Sequence, residues 1–182
     1  MASGDSVADR LAALEERLDR LQAERDIARL IASYGPCVDA ADAVATADLW
    51  AEDGTYDVEG WQMAGRDDVR SMVASKGHRD LVDGGCSHFL GPAVVTVDGD
   101  DAVALCESLV LLRAAQADPD RVDRSGWRSA PSEYVVWRAA ANHFRLRRID
   151  GAWRITARKS RLLDGRSEAH DMLRAGVAGR QL

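Results

Sequence analysis

The sequence lacks the features that mark several large classes of protein. Its three cysteines, Cys37, Cys86 and Cys106, are odd in number and widely spaced, so they fit neither a disulfide framework nor a zinc-binding pattern. We therefore expect reduced, buried thiols in a cytoplasmic protein. No basic and apolar leader opens the chain, and no apolar run approaches the ~20 residues of a membrane helix, so we expect no membrane partner.

An excess of positive charge is also missing. The chain carries 24 Lys and Arg against 30 Asp and Glu, a net charge of −6. Nucleic-acid-binding proteins normally present a basic field, so we expect no nucleic-acid partner. One local basic cluster alternates along predicted strands, and we interpret it, together with His143, as the solvated face of a sheet. The cluster comprises Arg145, Arg147, Arg148, Arg154, Arg158, Lys159 and Arg161.

Cofactor signatures are scarce as well. The glycines at 54, 60 and 65 are too scattered for a phosphate-binding loop. No group of His, Cys, Asp and Glu residues has the sequence spacing of metal ligands, and His78 and His170 look exposed. We therefore expect neither a cofactor nor a metal.

The order of predicted elements indicates one α+β domain, for which 182 residues suffice. Helices come first, and the Gly35-Pro36 pair is expected to interrupt the first of them. A mostly antiparallel sheet follows, with a long loop over residues 116–132. We predict helices over residues 5–24, 25–40, 46–50, 66–76 and 167–175, and strands over residues 55–58, 93–97, 102–112, 134–149 and 153–161.

A heptad pattern occupies the N-terminal helix. Val7, Leu11, Leu14, Leu18 and Leu21 recur at alternating spacings of four and three residues. This spacing fits contact with a second subunit in a homodimer or homotrimer, and it fits equally well a helix lying on its own domain. We divide the chain into an N-terminal helical extension, the main domain, and a C-terminal helix with its tail, covering residues 1–24, 25–165 and 166–182.

Several short segments between residues 26 and 155 follow one another in the order that is typical of a known protein family. They resemble the nuclear transport factor 2-like (NTF2-like) superfamily, in its SnoaL-like and scytalone dehydratase-like branch. The resemblance implies a cystatin-like cone, in which a strongly curved sheet packs on N-terminal helices around a deep apolar pocket. The segments cover residues 26–34, Asp39, and residues 48–56, 87–89, 94–102 and 148–155.

The resemblance also implies an acid–base site. Scytalone dehydratase, a bile-acid dehydratase and hexachlorocyclohexane dehydrochlorinase place an Asp on the first helix and a His at the start of a central strand, which Asp39 and His88 match. Tyr34 matches a tyrosine of the bile-acid dehydratase. We expect His88 to act as general base, Asp39 to orient it, and Tyr34 to donate a hydrogen bond. A structural His88 and a Tyr34 that plugs the cone are the alternatives.

Other side chains are candidates for binding substrate. Asn142 is in phase with the apolar residues of its strand, and the alternative is a water-bridged core amide. Glu107 is in phase with Leu105 and Leu109, where it lines a pocket or pairs with an arginine. The aromatic candidates for pocket walls, which fit a plain core equally well, are Trp50, Tyr56, Trp61, Phe89, Trp127 and Trp137.

These features together predict a cofactor-independent lyase. The expected reaction is dehydration of an apolar cyclic or polycyclic hydroxy compound of the steroid or polyketide class. An isomerase or cyclase uses similar residues. The alternative is a non-catalytic module that binds small ligands, or the small structural subunit of a ring-hydroxylating dioxygenase, which shares this fold.

Overall fold

The computed structural model describes residues 6–113 and 134–182. The predicted loop over residues 116–132 and Trp127 lie outside them. The described helices are α1 (Val7–Asp39), α2 (Ala43–Ala47), α3 (Arg66–Ala74), α4 (Lys76–Asp83) and α5 (Ser167–Val177). The strands are β1 (Trp50–Val58), β2 (Trp61–Ala64), β3 (Cys86–Leu90), β4 (Val94–Asp98), β5 (Asp101–Arg113), β6 (Tyr134–Ile149) and β7 (Ala152–Leu162).

The seven strands form one sheet in the order β2-β1-β7-β6-β5-β3, and β4 also pairs with β5. All described pairings are antiparallel except β1 with β7. The predicted α+β class with a curved, mostly antiparallel sheet is confirmed. In the described part of the chain, no helix combines the length and the apolar character that crossing a membrane requires.

Helix α1 begins at a capping box, in which the Ser6 hydroxyl accepts from the backbone of Asp9 and the Asp9 carboxylate accepts from the backbone of Ser6. Its first turns are exposed. From Ala23 onward one face is buried, and that face packs into the main core beside β3 and β4. The buried residues of α1 are Ala23, Ile27, Ile31, Tyr34, Gly35 and Val38.

The expected interruption at Gly35-Pro36 is wrong, because α1 runs unbroken through Pro36 to Asp39. Gly35 has a different role. A Cβ atom built on it would overlap the backbone carbonyl oxygen of His88 in β3. The missing side chain therefore allows α1 to lie directly against β3, and this contact fixes where the last turn of the helix ends.

The region between α1 and β4 holds further differences from the predicted elements. The short helix ends at Ala47, and Trp50 begins β1 instead of closing that helix. An additional helix, α4, follows α3 because Ser75 caps it by accepting from the backbone N–H of His78. His78 is buried, not exposed as expected.

The outer face of the sheet is also partly covered. Helix α5 packs across β5 and β6 and forms a small cluster from Ala141, Ala169 and Met172. His143 is therefore buried instead of solvated, and one of its ring nitrogens, Nε2, lies 2.9 Å from the carbonyl oxygen of Arg180. Burial lowers the pKa of His143, which favours its neutral form.

A charged joint connects β1, β7 and α5. The guanidinium of Arg161 donates to both carboxylate oxygens of Asp57, at 2.8 and 2.7 Å, and to Glu168 at 2.7 Å. These hydrogen bonds from Arg161 hold the pKa of Asp57 at about 2, below its ordinary value of 3.8. The joint therefore supports the parallel β1–β7 pairing with a bidentate ion pair.

We expect the Gly35→Ala variant to lose about 1–3 kcal/mol of unfolding free energy, because the added methyl group forces α1 away from β3. Urea denaturation measures this loss. Gly77→Ala is the matched control, since a Cβ there meets nothing within 4 Å and alanine favours a helix. Equal stability of the two variants would contradict the close α1–β3 contact.

We expect Asp57→Asn to lower the melting temperature at neutral pH and to flatten its decline in acid. The depressed pKa of Asp57 contributes stability above about 3.8, and that stability is lost as the pH falls toward about 2. Thermal unfolding as a function of pH measures both effects. Asp80→Asn, which removes an exposed pair with Lys76, should change little. An unaltered acid decline in Asp57→Asn would refute this role.

Candidate active site

Asp39 and His88 meet at the junction of α1 and β3, 49 positions apart in sequence. The backbone N–H of His88 donates to Oδ2 of Asp39 at 2.7 Å, and Nδ1 of the His88 ring lies 2.6 Å from Oδ1. Both side chains are largely buried, with exposed fractions of 23% for Asp39 and 17% for His88. Each carboxylate oxygen thus has its own partner on one residue, which fixes the orientation of the imidazole.

This geometry favours one tautomer of His88. A carboxylate accepts hydrogen bonds and does not donate them, so Nδ1 carries the hydrogen toward Asp39. The other ring nitrogen, Nε2, then keeps its lone pair. His88 lines a mainly apolar cavity, so a ring nitrogen with a free lone pair belongs to a side chain of that wall.

Tyr34 lies on α1 between this pair and the aromatic core. Its ring centroid is 6.2 Å from that of His88, in an edge-to-face arrangement, and 6.5 Å from that of Tyr56. Burial and the neighbouring Tyr56 raise the pKa of Tyr34, while the positive charge of Arg158 lowers it less. The phenol therefore keeps its proton at neutral pH and can donate a hydrogen bond.

Arg158 is the largest departure from the sequence analysis. Strand alternation predicts a solvated position for Arg158, yet only 4% of its surface is exposed. Its guanidinium carbon lies 4.1 Å from the ring centroid of Tyr34 and 4.5 Å from that of Tyr56. Nε and Nη2 donate to Oδ1 of Asn142 at 3.2 and 2.8 Å, and no carboxylate among the described residues pairs with Arg158.

A bulge in β7 explains the position of Arg158. Arg145 pairs with Ala157 and Leu146 pairs with Ile155, so Thr156 is an extra residue in β7. Strict alternation from the buried Ile155 would send Arg158 outward, but the bulge reverses the phase and turns it inward. Sequence alternation alone carries no sign of this inserted residue.

A cavity of about 300 Å³ opens beside these groups. Its wall is mainly apolar, and the polar groups on it are few, which is typical of small-molecule sites. The wall consists of Tyr34, Tyr56, Val58, Trp61, Met63, Met72, His88, Leu90, Ser108, Leu109, Val110, Trp137, Arg138, Ala140, Arg158 and Ser160.

The predicted substrate-binding residues have different locations. Tyr56 and Trp61 line the cavity, and Trp137 does as well. Trp50 is fully buried beside Tyr34 and is plain core. Phe89 is 59% exposed and does not line the cavity, because neighbouring strand residues point to opposite faces and His88 takes the inward position.

Asn142 and Glu107 also differ from their predicted roles. Asn142 is fully buried and does not reach the cavity; its Nδ2 donates to Ser108 at 2.8 Å and its oxygen holds Arg158. Glu107 is exposed, and no described residue pairs with it. It shares its face of β5 with Leu105, against which Gly176 of α5 packs, so this face is the outer one. Leu105, which is in phase with Glu107, is covered by α5, and Glu107 itself does not line the cavity.

Sequence reasoning missed Arg158, Ser108 and Ser160 as cavity residues. Both serines occupy inward positions next to Asn142. Ser108 accepts a hydrogen bond from Asn142, and Ser160 is the residue of β7 that pairs with Asn142. The inward phase of Asn142 could have indicated Ser108, because the two strands are antiparallel neighbours. Two methionines, Met63 and Met72, add adaptable apolar surface to the same wall.

Three side chains that can bind a metal lie close together at the contact between Asp39 and His88, although their spacing in the sequence did not indicate this. One atom each of Asp39, Cys86 and His88 lies within 4.8 Å of the others, so these residues could hold a metal ion. The Cys86 sulfur is 3.7 Å from Nδ1 of His88. Cys86 and Cys37 are partly exposed, whereas Cys106 is buried as expected.

A second histidine, His78, lies next to His88. The His78 ring on α4 lies 6.1 Å from the His88 ring, centroid to centroid. Burial lowers the pKa of His78 and the nearby His88 lowers it further, which favours a neutral ring. His78 therefore adds no positive charge behind His88 at neutral pH.

The fold agrees with comparisons to known proteins. An NTF2-like protein with a cystatin-like fold from Novosphingobium aromaticivorans is 35% identical, with a TM-score of 0.76 over 94% of this chain and 99% of that one. No curated protein matches this chain at a significant level.

Two further solved structures share the fold at lower identity. A candidate scytalone dehydratase from Novosphingobium aromaticivorans is 19% identical, with a TM-score of 0.60 over 78% of this chain and 85% of that one. Hexachlorocyclohexane dehydrochlorinase LinA-type3 from Novosphingobium barchaimii is also 19% identical, with a TM-score of 0.63 over 81% of this chain and 90% of that one. The sequence pattern of the SnoaL-like domain matches residues 19–159. The chain belongs to the SnoaL-like domain family, with the NTF2-like fold.

Proposed function

We propose that this protein is a lyase that removes water from a small cyclic hydroxy ketone or related hydroxy carbonyl compound. The observation that supports this function most strongly is the contact of Asp39 with His88 at the wall of an apolar cavity. A buried arginine without a carboxylate partner among the described residues lies on the same wall. Together they supply a base and a positive charge, which is what an elimination beside a carbonyl requires.

In the proposed first step, Nε2 of His88 takes a proton from the carbon next to the substrate carbonyl. Asp39 stabilises the imidazolium that forms and keeps its ring in place. The electron pair of the broken C–H bond moves toward the carbonyl oxygen, giving an enolate. A positioned base of this kind contributes about 10²–10⁴-fold to the rate.

Arg158 and Tyr34 act on the charge that develops in this step. The guanidinium stays positive at all relevant pH values and has no carboxylate to neutralise it among the described residues. In an apolar cavity its charge acts at low dielectric, so it stabilises an enolate oxygen more strongly than water does. The neutral Tyr34 phenol donates a second hydrogen bond to the same oxygen.

In the second step, the enolate collapses and the C–O bond of the neighbouring hydroxyl breaks. The imidazolium of His88 returns its proton to the departing oxygen, so water leaves and the ring becomes neutral again. The products are one conjugated carbonyl compound and one water molecule. No electron acceptor is consumed, and the site is ready for another turnover.

The cavity restricts the size of the substrate. Its volume of about 300 Å³ is at the lower end of the range of about 300–1,000 Å³ for small-molecule sites. Mono- and bicyclic compounds therefore fit the described wall better than a full steroid does. Met63 and Met72 can adapt their side chains to ring systems of different outline.

The test of this function uses a panel of mono- and bicyclic β-hydroxy ketones. We expect wild-type protein to form the conjugated ketone, seen as new ultraviolet absorbance, and to exchange the α-hydrogen for deuterium in D₂O. His88→Ala and Asp39→Asn should each lower kcat by about 10²–10⁴-fold, because they remove the base or its orienting partner. His170→Ala, at an exposed histidine, is the matched control.

Folding of each variant is checked by circular dichroism and thermal unfolding. Unchanged turnover and deuterium exchange in folded His88→Ala and Asp39→Asn would overturn the proposal. Binding of the panel compounds without exchange in the wild-type protein would instead assign the cavity to ligand binding alone.

We expect Asn142→Asp to lower kcat by about tenfold or more while leaving the cavity wall in place. The new carboxylate would pair with the Arg158 guanidinium and cancel the positive charge offered to the substrate. Steady-state kinetics on the same panel measures the change. His170→Asp, which adds a carboxylate at an exposed position away from the cavity wall, serves as control. Activity equal to wild type would contradict the proposed role of Arg158.

A further inference from the structure

The N-terminal half of α1 presents an apolar stripe to solvent. Val7, Leu11, Leu14, Leu18 and Leu21 are 82%, 55%, 62%, 64% and 51% exposed. All residues from 6 to 22 are exposed, so no described part of the chain covers this stripe. A contiguous row of large apolar side chains on a surface is typical of an interaction site.

The stripe and the domain lie on opposite faces of the same helix. Glu16, Asp19, Arg20 and Ala23 line a shallow cleft against the β4–β5 turn. At 100° per residue, these four positions are centred about half a revolution from the leucine stripe. The stripe therefore points away from the described part of its own domain, which contradicts the alternative that it packs there.

The exposed segment continues the packed half of α1, but its own apolar side chains contact no described part of the domain. In proteins most helical stability comes from packing of an apolar face, which residues 7–22 lack here. The capping box at Ser6 supports the first turn, but its hydrogen bonds do not bury the leucines. Packing of the stripe against another apolar helix would stabilise the segment.

We propose that this stripe pairs with the same stripe of a second copy in a short parallel coiled coil. In heptad notation Leu11 and Leu18 occupy a positions, and Val7, Leu14 and Leu21 occupy d positions. The seam is about 21 Å long, at 1.5 Å per residue. This pairing does not depend on the proposed reaction.

The flanking charges favour the parallel orientation. Arg10 is at a g position and Glu15 at the following e position, so each Arg10 meets the partner's Glu15 across a parallel pair. An antiparallel pair that overlays the apolar residues also joins Arg10 to Glu24. However, this antiparallel pair places Glu15 of one copy beside Glu15 of the other, and Arg17 of one copy beside Arg17 of the other. These like charges repel.

Disulfide trapping tests the seam directly in the full chain. A Leu14→Cys variant places thiols of two copies face to face only in the parallel coiled coil. Under mild oxidation we expect a covalent dimer on non-reducing gels, well above the background that wild-type protein forms through its natural cysteines. Ala12→Cys, on the back of the same helix, is the matched control and should stay at background.

Sedimentation across a series of protein concentrations gives the second readout. Leu14→Lys with Leu18→Lys should remove one association step that wild-type protein shows. Arg10→Glu should weaken the step, and adding Glu15→Arg should restore it. Absence of a Leu14→Cys dimer would overturn the proposal. Trapping between Leu11→Cys and Leu21→Cys copies would instead assign an antiparallel pair.

Discussion

One carboxylate connects the two halves of this fold. Asp39 accepts one hydrogen bond from the His88 backbone and a second from the His88 ring, so one carboxylate joins the last turn of α1 to the first residues of β3. The contact exists only because Gly35 allows the helix to touch the carbonyl of the same histidine. Helix packing and orientation of the imidazole are therefore one constraint. A change that loosens the helix also releases the ring.

The inward-facing Arg158 is the second determinant of the site. Burying a guanidinium is unfavourable unless its donors are paired and its charge is balanced. Here three aromatic rings and the oxygen of Asn142 surround it, without a carboxylate among the described residues. The fold thus retains a positive potential at the cavity wall. In proteins generally, a buried positive charge without an opposite one stabilises negative charge on oxygen.

The sequence predicted the class, the sheet and the pairing of Asp39 with His88, because each of these follows from periodicity or from the family resemblance. The sequence did not predict which way Arg158 and Glu107 point, because local geometry decides both orientations. The extra residue Thr156 reverses the phase of β7, and pattern reading cannot detect such an insertion within a polar stretch. The cover supplied by α5 hides Leu105 on the outer face, so apolar phase alone assigned Glu107 to the wrong side.

The unbroken course of α1 has a structural consequence. The helix has 33 residues and is about 50 Å long, with Leu14 near one end and Asp39 at the other. No break at Pro36 separates the exposed end of this helix from the end that carries Asp39. The exposed leucine stripe and the contact between Asp39 and His88 therefore belong to one continuous helix.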